Sequence, residues 1–124
     1  MSNWQTLRYA KLAFIISLML PLGCWAQTAH IKDGQAGEHV GQRVVVEGTL
    51  VGVYASRSGN TFLNFGAAYP NEDFTAVIFA ENSGSIRNVQ VLEGKRVEVS
   101  GVVRLYRGKP EIILRSAGEL RVRD

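Results

Sequence analysis

Aromatic residues lie close to cations at two places in the chain, and these two places indicate more about its function than any other pattern in the sequence. In the first place Arg57 precedes Phe62, and in the second Tyr106 and Arg107 are adjacent, with Lys109 close behind. Glycines typical of turns accompany both groups. Aromatic faces and cations hold ligands through contact and charge without reacting with them. Both places therefore indicate a binding surface rather than a catalytic one.

Residue types that carry catalysis are few and poorly placed. His30 and His39 are the two histidines, and both precede the strand-rich part of the chain. A histidine pair without cysteines is a weak zinc signal, and no motif places a histidine beside Ser56 or Ser58. The glycines near the start match no phosphate-binding loop; they are Gly34, Gly37 and Gly41. We therefore predict no enzymatic activity, no metal site and no cofactor.

Length and composition predict one globular domain rich in turns. The chain has 124 residues, 46% of them hydrophobic and 20% charged, with 13 glycines and 3 prolines. This balance suits short strands joined by turns. The formal charge is +3, but removal of Arg8 and Lys11 with the signal segment described next leaves 12 Lys and Arg against 11 Asp and Glu. A preference for an anionic partner must therefore come from local clusters of cations.

Residues 1–26 have the features of a secretory signal peptide. Arg8 and Lys11 supply the positive start, and a mainly apolar run follows over residues 12–23. The run is shorter than the ~20 residues that a membrane-spanning helix needs. We predict cleavage after Ala26 and a periplasmic or secreted domain that has no stable membrane span once the signal is removed.

Cys24 offers a second route of processing for the same segment. It follows a small residue, as the acylated cysteine of a bacterial lipoprotein does, but Pro21 stands where that pattern usually has leucine. Ordinary cleavage is therefore favoured over lipidation. Because Cys24 is the one cysteine of the chain, cleavage after Ala26 leaves a domain without disulfides.

The rest of the chain predicts five main strands and one short helix. β-branched and aromatic residues mark the strands, and apolar residues at three-residue intervals mark the helix. The predicted strands are residues 43–56, 61–65, 74–80, 96–106 and 111–115, with the helix within 81–92 and a further edge segment at 119–123.

Alternation along the strands predicts which side chains fill the core. In the second strand Leu63 and Phe65 are expected to point inward, which leaves Phe62 and Asn64 outward. In the fourth strand the inward set is expected to include Leu105 together with Val97, Val99, Gly101 and Val103. Glycines inside the first strand, at 48 and 52, are typical of bulges or sharp coiling.

Three strands, a short helix and two strands follow one another in the order of the OB-fold, a five-stranded Greek-key barrel. An SH3-like barrel or an incomplete sandwich has a similar number of strands, but the helix in this position favours the OB-fold. We expect an all-β protein with a small helical content. Residues 27–42 would form an N-terminal extension and residues 43–124 the OB-fold domain.

Several motifs resemble the bacterial OB-fold nucleic-acid-binding domain family, whose members occur alone behind signal peptides and appended to secreted nucleases. The motifs are residues 57–66, 69–71, 74–79, 94–97 and 106–112. The similarity extends over roughly residues 38–120. It implies a non-catalytic module that binds single-stranded nucleic acid or oligonucleotides.

OB-folds bind on the face of strands two and three and on the loops that join strands one to two and four to five. Aromatic faces there stack bases and cations hold phosphates. The resemblance, placed on this chain, implies the following nucleic-acid-binding residues: Tyr54, Arg57, Asn60, Phe62, Asn64, Tyr69, Arg104, Tyr106, Arg107 and Lys109.

Two alternatives stay open at this point. The near-neutral domain also suits a periplasmic OB-fold that binds an envelope protein, a small molecule or another envelope component. A thermonuclease-type enzyme shares the barrel, but its carboxylate and arginine set cannot be placed on this chain residue by residue. The ordinary structural interpretation also competes for each single residue, because an exposed arginine can simply pair with Glu98 or Glu111.

Overall fold

The computed structural model describes residues 27–123. The predicted signal peptide, with Cys24, therefore lies outside the described residues. The strands are β1 Ala29–Lys32, β2 Arg43–Ala55, β3 Thr61–Phe65, β4 Phe74–Ile78, β5 Arg96–Val102, β6 Arg104–Tyr106, β7 Lys109–Leu114 and β8 Leu120–Arg123. Within residues 27–123 no helix has the length and apolar character needed to cross a membrane.

The long strand β2 belongs to both halves of the sheet. Its first part, from Arg43 to Thr49, pairs with β5, and its second part, from Leu50 to Ala55, pairs with β3. The register shifts between Leu50 and Gly52, so the strand carries a bulge where it passes from one partner to the other. Bulges increase the local bend and twist of a strand. The predicted glycine-broken first strand thus serves both sides of the barrel.

The sheet order is β6-β7-β4-β3-β2-β5-β8, with β1 paired to β2 outside this path. β4 and β7 pair in parallel, an arrangement that a simple hairpin cannot give. Five barrel strands are recognisable when β5 and β6 are counted together, because they follow each other directly and β6 pairs with β7. The predicted OB-fold barrel is confirmed.

The barrel closes at the junction of β5 and β6, and a glycine permits the close approach there. A Cβ atom placed on Gly101 would lie 2.5 Å from Cγ2 of Ile112 in β7. Real Cβ atoms do not approach a neighbouring methyl so closely, so a side chain at 101 would force β5 and β7 apart. The close contact between β5 and β7 at Gly101 and Ile112 is called the seam below.

The core follows the predicted alternation except at one position. Leu63, Phe65, Val97, Val99 and other apolar residues of the strands are fully buried. Leu105, which was expected to point inward, is instead 54% exposed. The prediction was wrong because the pairing of β5 with β2 ends at Val102 and β6 pairs with β7 instead, so the alternation of β5 does not extend through β6.

The segment between β4 and β5 holds two 3-10 helices, Ala80–Asn82 and Val89–Leu92. Ile86 and Val89 are buried, and Leu92 packs against the core cluster. The three-residue spacing that predicted a short helix therefore reflects one apolar side of this segment. This side of the segment packs against the core formed by the strands.

Residues 27–42 are integrated into the sheet. The sequence predicts an N-terminal extension here, whereas the structure has β1, parallel to β2, and a 3-10 helix at Asp33–His39. Ala36 of that helix is completely buried in the core. The Asp33 carboxyl lies near Gly48 and, together with the Asp73 carboxyl, near Gly66, since a Cβ on either glycine would meet the carboxylate atoms within 3 Å. Partial burial, followed by the neighbouring Asp73, raises the pKa of Asp33.

Asp33→Asn is expected to raise the thermal midpoint at neutral pH, because it removes a charge that burial and Asp73 disfavour. The folded chain holds the Asp33 proton more tightly than the unfolded chain does, so stability should fall as pH rises through the raised pKa. That part of the pH dependence should vanish in the variant. Thermal unfolding from acidic to neutral pH measures it, with Glu38→Gln in the same 3-10 helix as control. A midpoint at neutral pH that equals or falls below that of the unaltered protein would contradict this assignment.

Candidate nucleic-acid interface

Four apolar side chains lie in one line across the outer face of the barrel. Tyr54 pairs with Phe62, Phe62 with Val77, and Val77 with Ile113, so the line crosses β2, β3, β4 and β7. Their neighbours along each strand, such as Leu63 and Ile112, are fully buried in the core. Because successive side chains of a strand point to opposite faces, these four point outward. They are called the apolar row below.

The apolar row forms an exposed aromatic end and a covered aliphatic middle. Tyr54 is 61% exposed, and its ring lies against that of Phe62 with 6.3 Å between centroids and 29° between planes. Phe62 and Ile113 are half-buried. Val77 is only 2% exposed although it is not a member of the core cluster. The row therefore has exposed aromatic faces at one end and a buried aliphatic side chain, Val77, in its middle.

The next line of outward residues is polar and internally satisfied. Asn64 pairs with Thr75 in the register, and the Thr75 hydroxyl donates to Oδ1 of Asn64 at 3.1 Å. On β6, Nε of Arg104 donates to Oε1 of Glu111 at 2.7 Å. The Asn64 and Glu111 side chains are buried. Both pairs thus hold neighbouring strands together, and neither Asn64 nor the Nε of Arg104 is free for a ligand.

The β6–β7 hairpin carries one engaged cation and one exposed cation. Nζ of Lys109 donates to the carbonyl of Pro70 and lies 3.1 Å from Oε1 of Glu72, whose side chain is 6% exposed. Arg107 has a left-handed backbone with φ of 52°, and its guanidinium carbon lies 5.3 Å from the centroid of the Tyr106 ring. Within residues 27–123 it has no carboxylate partner. Arg107 is therefore available to an anion.

The β2–β3 loop flanks the other end of the same face. Arg57 is exposed there and makes no ion pair with any residue that the structure describes. Oδ1 of Asn60 accepts a hydrogen bond from the amide of Ala80 at 3.0 Å, which ties the loop to the segment after β4. The two hairpins leave the strands at opposite ends, because β4 and β7 are parallel and β3 is antiparallel to β4. The apolar row lies between the two exposed cations.

The ten residues predicted to bind thus divide into three groups. Tyr54, Phe62 and Tyr106 share the outer face, with Arg57 and Arg107 at its two ends. Tyr69 is 76% exposed in the loop between β3 and β4. The remaining four have structural partners: Asn60, Asn64, Arg104 and Lys109.

Sequence reasoning missed Val77 and Ile113 as parts of this face. Both occur in strands that are apolar on either side, so alternation does not distinguish the outward residue from the inward one. Their place in the row follows from the register of β4 and β7 with their neighbours. Residues 27–123 hold no group of three or more His, Cys, Asp or Glu side chains arranged to bind a metal ion.

Comparison with solved structures supports the fold. The chain is similar to a chain described as an aspartyl-tRNA synthetase from Leishmania major Friedlin, with a TM-score of 0.51 and 10% identity over 84% of this chain and 22% of that chain. An asparaginyl-tRNA synthetase from Pyrococcus horikoshii gives a TM-score of 0.46 and 16% identity over 69% of this chain and 20% of that chain. An aspartyl-tRNA synthetase from Entamoeba histolytica gives a TM-score of 0.44 and 15% identity over 68% of this chain and 19% of that chain.

The chain spans about a fifth of the length of these synthetases. At 10% identity the likeness to the Leishmania chain shows a shared fold and nothing of activity. No protein-family model matches the sequence, and no curated protein matches it.

Lys109→Ala is expected to lower the free energy of unfolding by about 1–3 kcal/mol, because it leaves the buried Glu72 carboxylate without its partner. Arg107→Ala removes a cation from the same hairpin without breaking an ion pair, and its effect should stay within about 0.5 kcal/mol. Urea unfolding measures both variants. Adding Glu72→Gln to Lys109→Ala should restore part of the loss. Equal losses for Lys109→Ala and Arg107→Ala would show that the Glu72 pair has no structural role.

Proposed function

We propose that this protein is an exported, non-catalytic module that binds single-stranded nucleic acid across the outer face of its barrel. The observation that carries the proposal is the apolar row, in which the stacked rings of Tyr54 and Phe62 lie between two exposed cations. Oligonucleotide-binding OB-folds use this part of the barrel and the same two loops.

Single-stranded nucleic acid suits the row because its bases are unpaired and present flat apolar faces. A base that stacks on an aromatic side chain gains about 1–3 kcal/mol whatever its identity. The exposed ring of Tyr54 offers such a surface, and Phe62 beside it offers a second. The row consists of one tyrosine, one phenylalanine and two aliphatic residues, so it offers stacking faces rather than an array of donors and acceptors for reading base edges. The proposal therefore specifies binding that tolerates different sequences.

The charges on this face favour weak, salt-dependent affinity. Arg57 and Arg107 are the exposed cations of the two hairpin tips, whereas Arg104 and Lys109 are paired with carboxylates. Each phosphate held by a cation releases counterions, which makes affinity fall with salt. Few such contacts imply a shallow salt dependence. Export would follow from the predicted signal peptide, and the absence of a recognisable catalytic motif in the sequence supports a binding role.

Fluorescence anisotropy with a labelled single strand tests the proposal. Tyr54→Leu and Phe62→Leu keep apolar bulk but remove the aromatic face, and each should weaken binding about 5- to 150-fold if one base is stacked. Arg107→Ala should flatten the dependence of log affinity on log salt by about 0.7, the value for one phosphate contact on a single strand. Val91→Ala, a substitution of an exposed apolar residue in the segment before β5, should change neither.

Failure of the unaltered protein to bind at low salt would reject the nucleic-acid proposal. The second candidate, a partner protein or small molecule of the cell envelope, would then be preferred. The observation in its favour is the pairing of Arg104 and Lys109 with buried carboxylates, which reduces the positive charge beside the apolar row. Retention of an envelope protein on the immobilised domain, lost in Tyr54→Leu, would support it.

A further inference from the structure

Three arginines line a small cavity beside the apolar row. Arg43 opens β2, Arg104 opens β6, and Arg115 follows β7, and the cavity between them has a volume of about 170 Å³. They come from parts of the chain that are far apart in sequence. None of the motifs in the sequence indicated that Arg43 and Arg115 would meet.

The cavity is continuous with the proposed binding face. It lies over the seam, where Gly101 of β5 approaches β7, and Ile113 is one of its lining residues. Ile113 is also the last member of the apolar row. A strand whose bases stack on Tyr54 and Phe62 and that runs across β4 toward β7 therefore arrives at this cavity.

The cations of the cavity are largely free of protein partners. Arg43 and Arg115 form no ion pair with any residue between 27 and 123. Arg104 uses Nε to reach Glu111, and a guanidinium has four further N–H donors on its terminal nitrogens.

The one carboxylate among the lining residues is already engaged. Oε1 of Glu119 accepts hydrogen bonds from the backbone amides of Arg115, at 2.7 Å, and Ser116, at 3.0 Å. Three arginines thus stand beside two carboxylates, Glu119 and the Glu111 that pairs with Arg104, which leaves one positive charge in the cluster. The resulting net positive charge favours an anion.

A second cavity on the barrel is lined by cations and carboxylates that pair with one another. It has a volume of about 260 Å³, and its lining includes Lys32, Glu47, Glu98 and Arg123. Glu47 accepts from Lys32, and Arg123 lies 3.2 Å from Glu98 and 3.4 Å from Glu47. The hydrogen bond from Lys32, together with the nearby arginines, holds the pKa of Glu47 below its ordinary value. Charges in this cavity satisfy one another, so it has no surplus for an anion.

Size and charge together restrict the ligand of the arginine cavity. Pockets for drug-sized molecules measure about 300–1,000 Å³, so a pocket of about 170 Å³ suits a single tetrahedral anion better than a nucleoside. Guanidinium groups match phosphate oxygens in geometry and charge. We propose that Arg43, Arg104 and Arg115 form a subsite for one phosphate of the bound strand, beyond the last stacked base. The subsite rests on the proposed function, because its ligand is part of the same nucleic acid.

The salt dependence of oligonucleotide binding tests the subsite. Arg43→Gln and Arg115→Gln should each flatten the slope of log affinity against log salt, with a loss of about 0.7 when one phosphate contact disappears. Arg115→Lys should keep the slope because it keeps the charge. Lys95→Gln removes an exposed cation at the far end of β5, beside Leu50, and should leave the slope unchanged.

The outcomes separate the subsite from the proposed function. Binding by the unaltered protein with the same slope in Arg43→Gln, Arg115→Gln and Lys95→Gln would overturn the subsite and leave the function standing. A loss of slope in the two arginine variants alone would support it. Absence of binding by the unaltered protein at low salt would overturn both. Thermal midpoints of all variants should match, since the substituted side chains are exposed.

Discussion

Closure of the barrel depends on the ability of one strand to pair on two sides. The first half of β2 pairs with β5 and its second half pairs with β3, and the bulge between Leu50 and Gly52 lets the strand bend from one partner to the other. At the opposite side the chain closes the barrel at the seam, where Gly101 admits β5 against Ile112. Once the barrel closes, each strand residue is fixed either inside or outside. The side chains of the apolar row point outward because of that constraint.

The distribution of charge on the outer face follows from burial. Glu72 and Glu111 are almost completely covered, and a covered carboxylate requires a partner. Arg104 and Lys109 meet that requirement, so they stabilise the hairpin and the neighbouring strands. Arg57 and Arg107 lie in the turns and form no ion pair within residues 27–123. The same face therefore contains structural cations and available cations only a few residues apart.

Alternation in the sequence was sufficient to predict the barrel and the outward direction of Phe62. The five strands, the glycine-broken first strand and the inward positions of Leu63 and Phe65 all depend on local patterns. The prediction for Leu105 was wrong because the sequence of residues 96–106 gives no sign that the chain changes its pairing partner within it. Strand β1 was missed because it is short and mostly polar, and its parallel partner is β2.

The candidate site was harder to predict than the fold, since its residues are assigned by contacts between distant segments. Asn60 binds the amide of Ala80, and Lys109 pairs with Glu72, and neither relation follows from spacing. The cluster of Arg43 with Arg115 likewise exists only because the barrel closes. Side-chain type indicated where the candidate binding residues are concentrated, whereas register and burial separated the available side chains from the engaged ones.

The central claim is that the outer face with the apolar row is the surface that meets a single strand. A titration of the isotope-labelled protein with an unlabelled oligonucleotide, followed by amide chemical shifts, tests it most directly. The account predicts that the largest shifts occur at Tyr54, Phe62, Val77 and Ile113. Shifts concentrated instead on β1 and β8, around Glu47 and Glu98, would contradict it, and so would a spectrum that does not change at low salt.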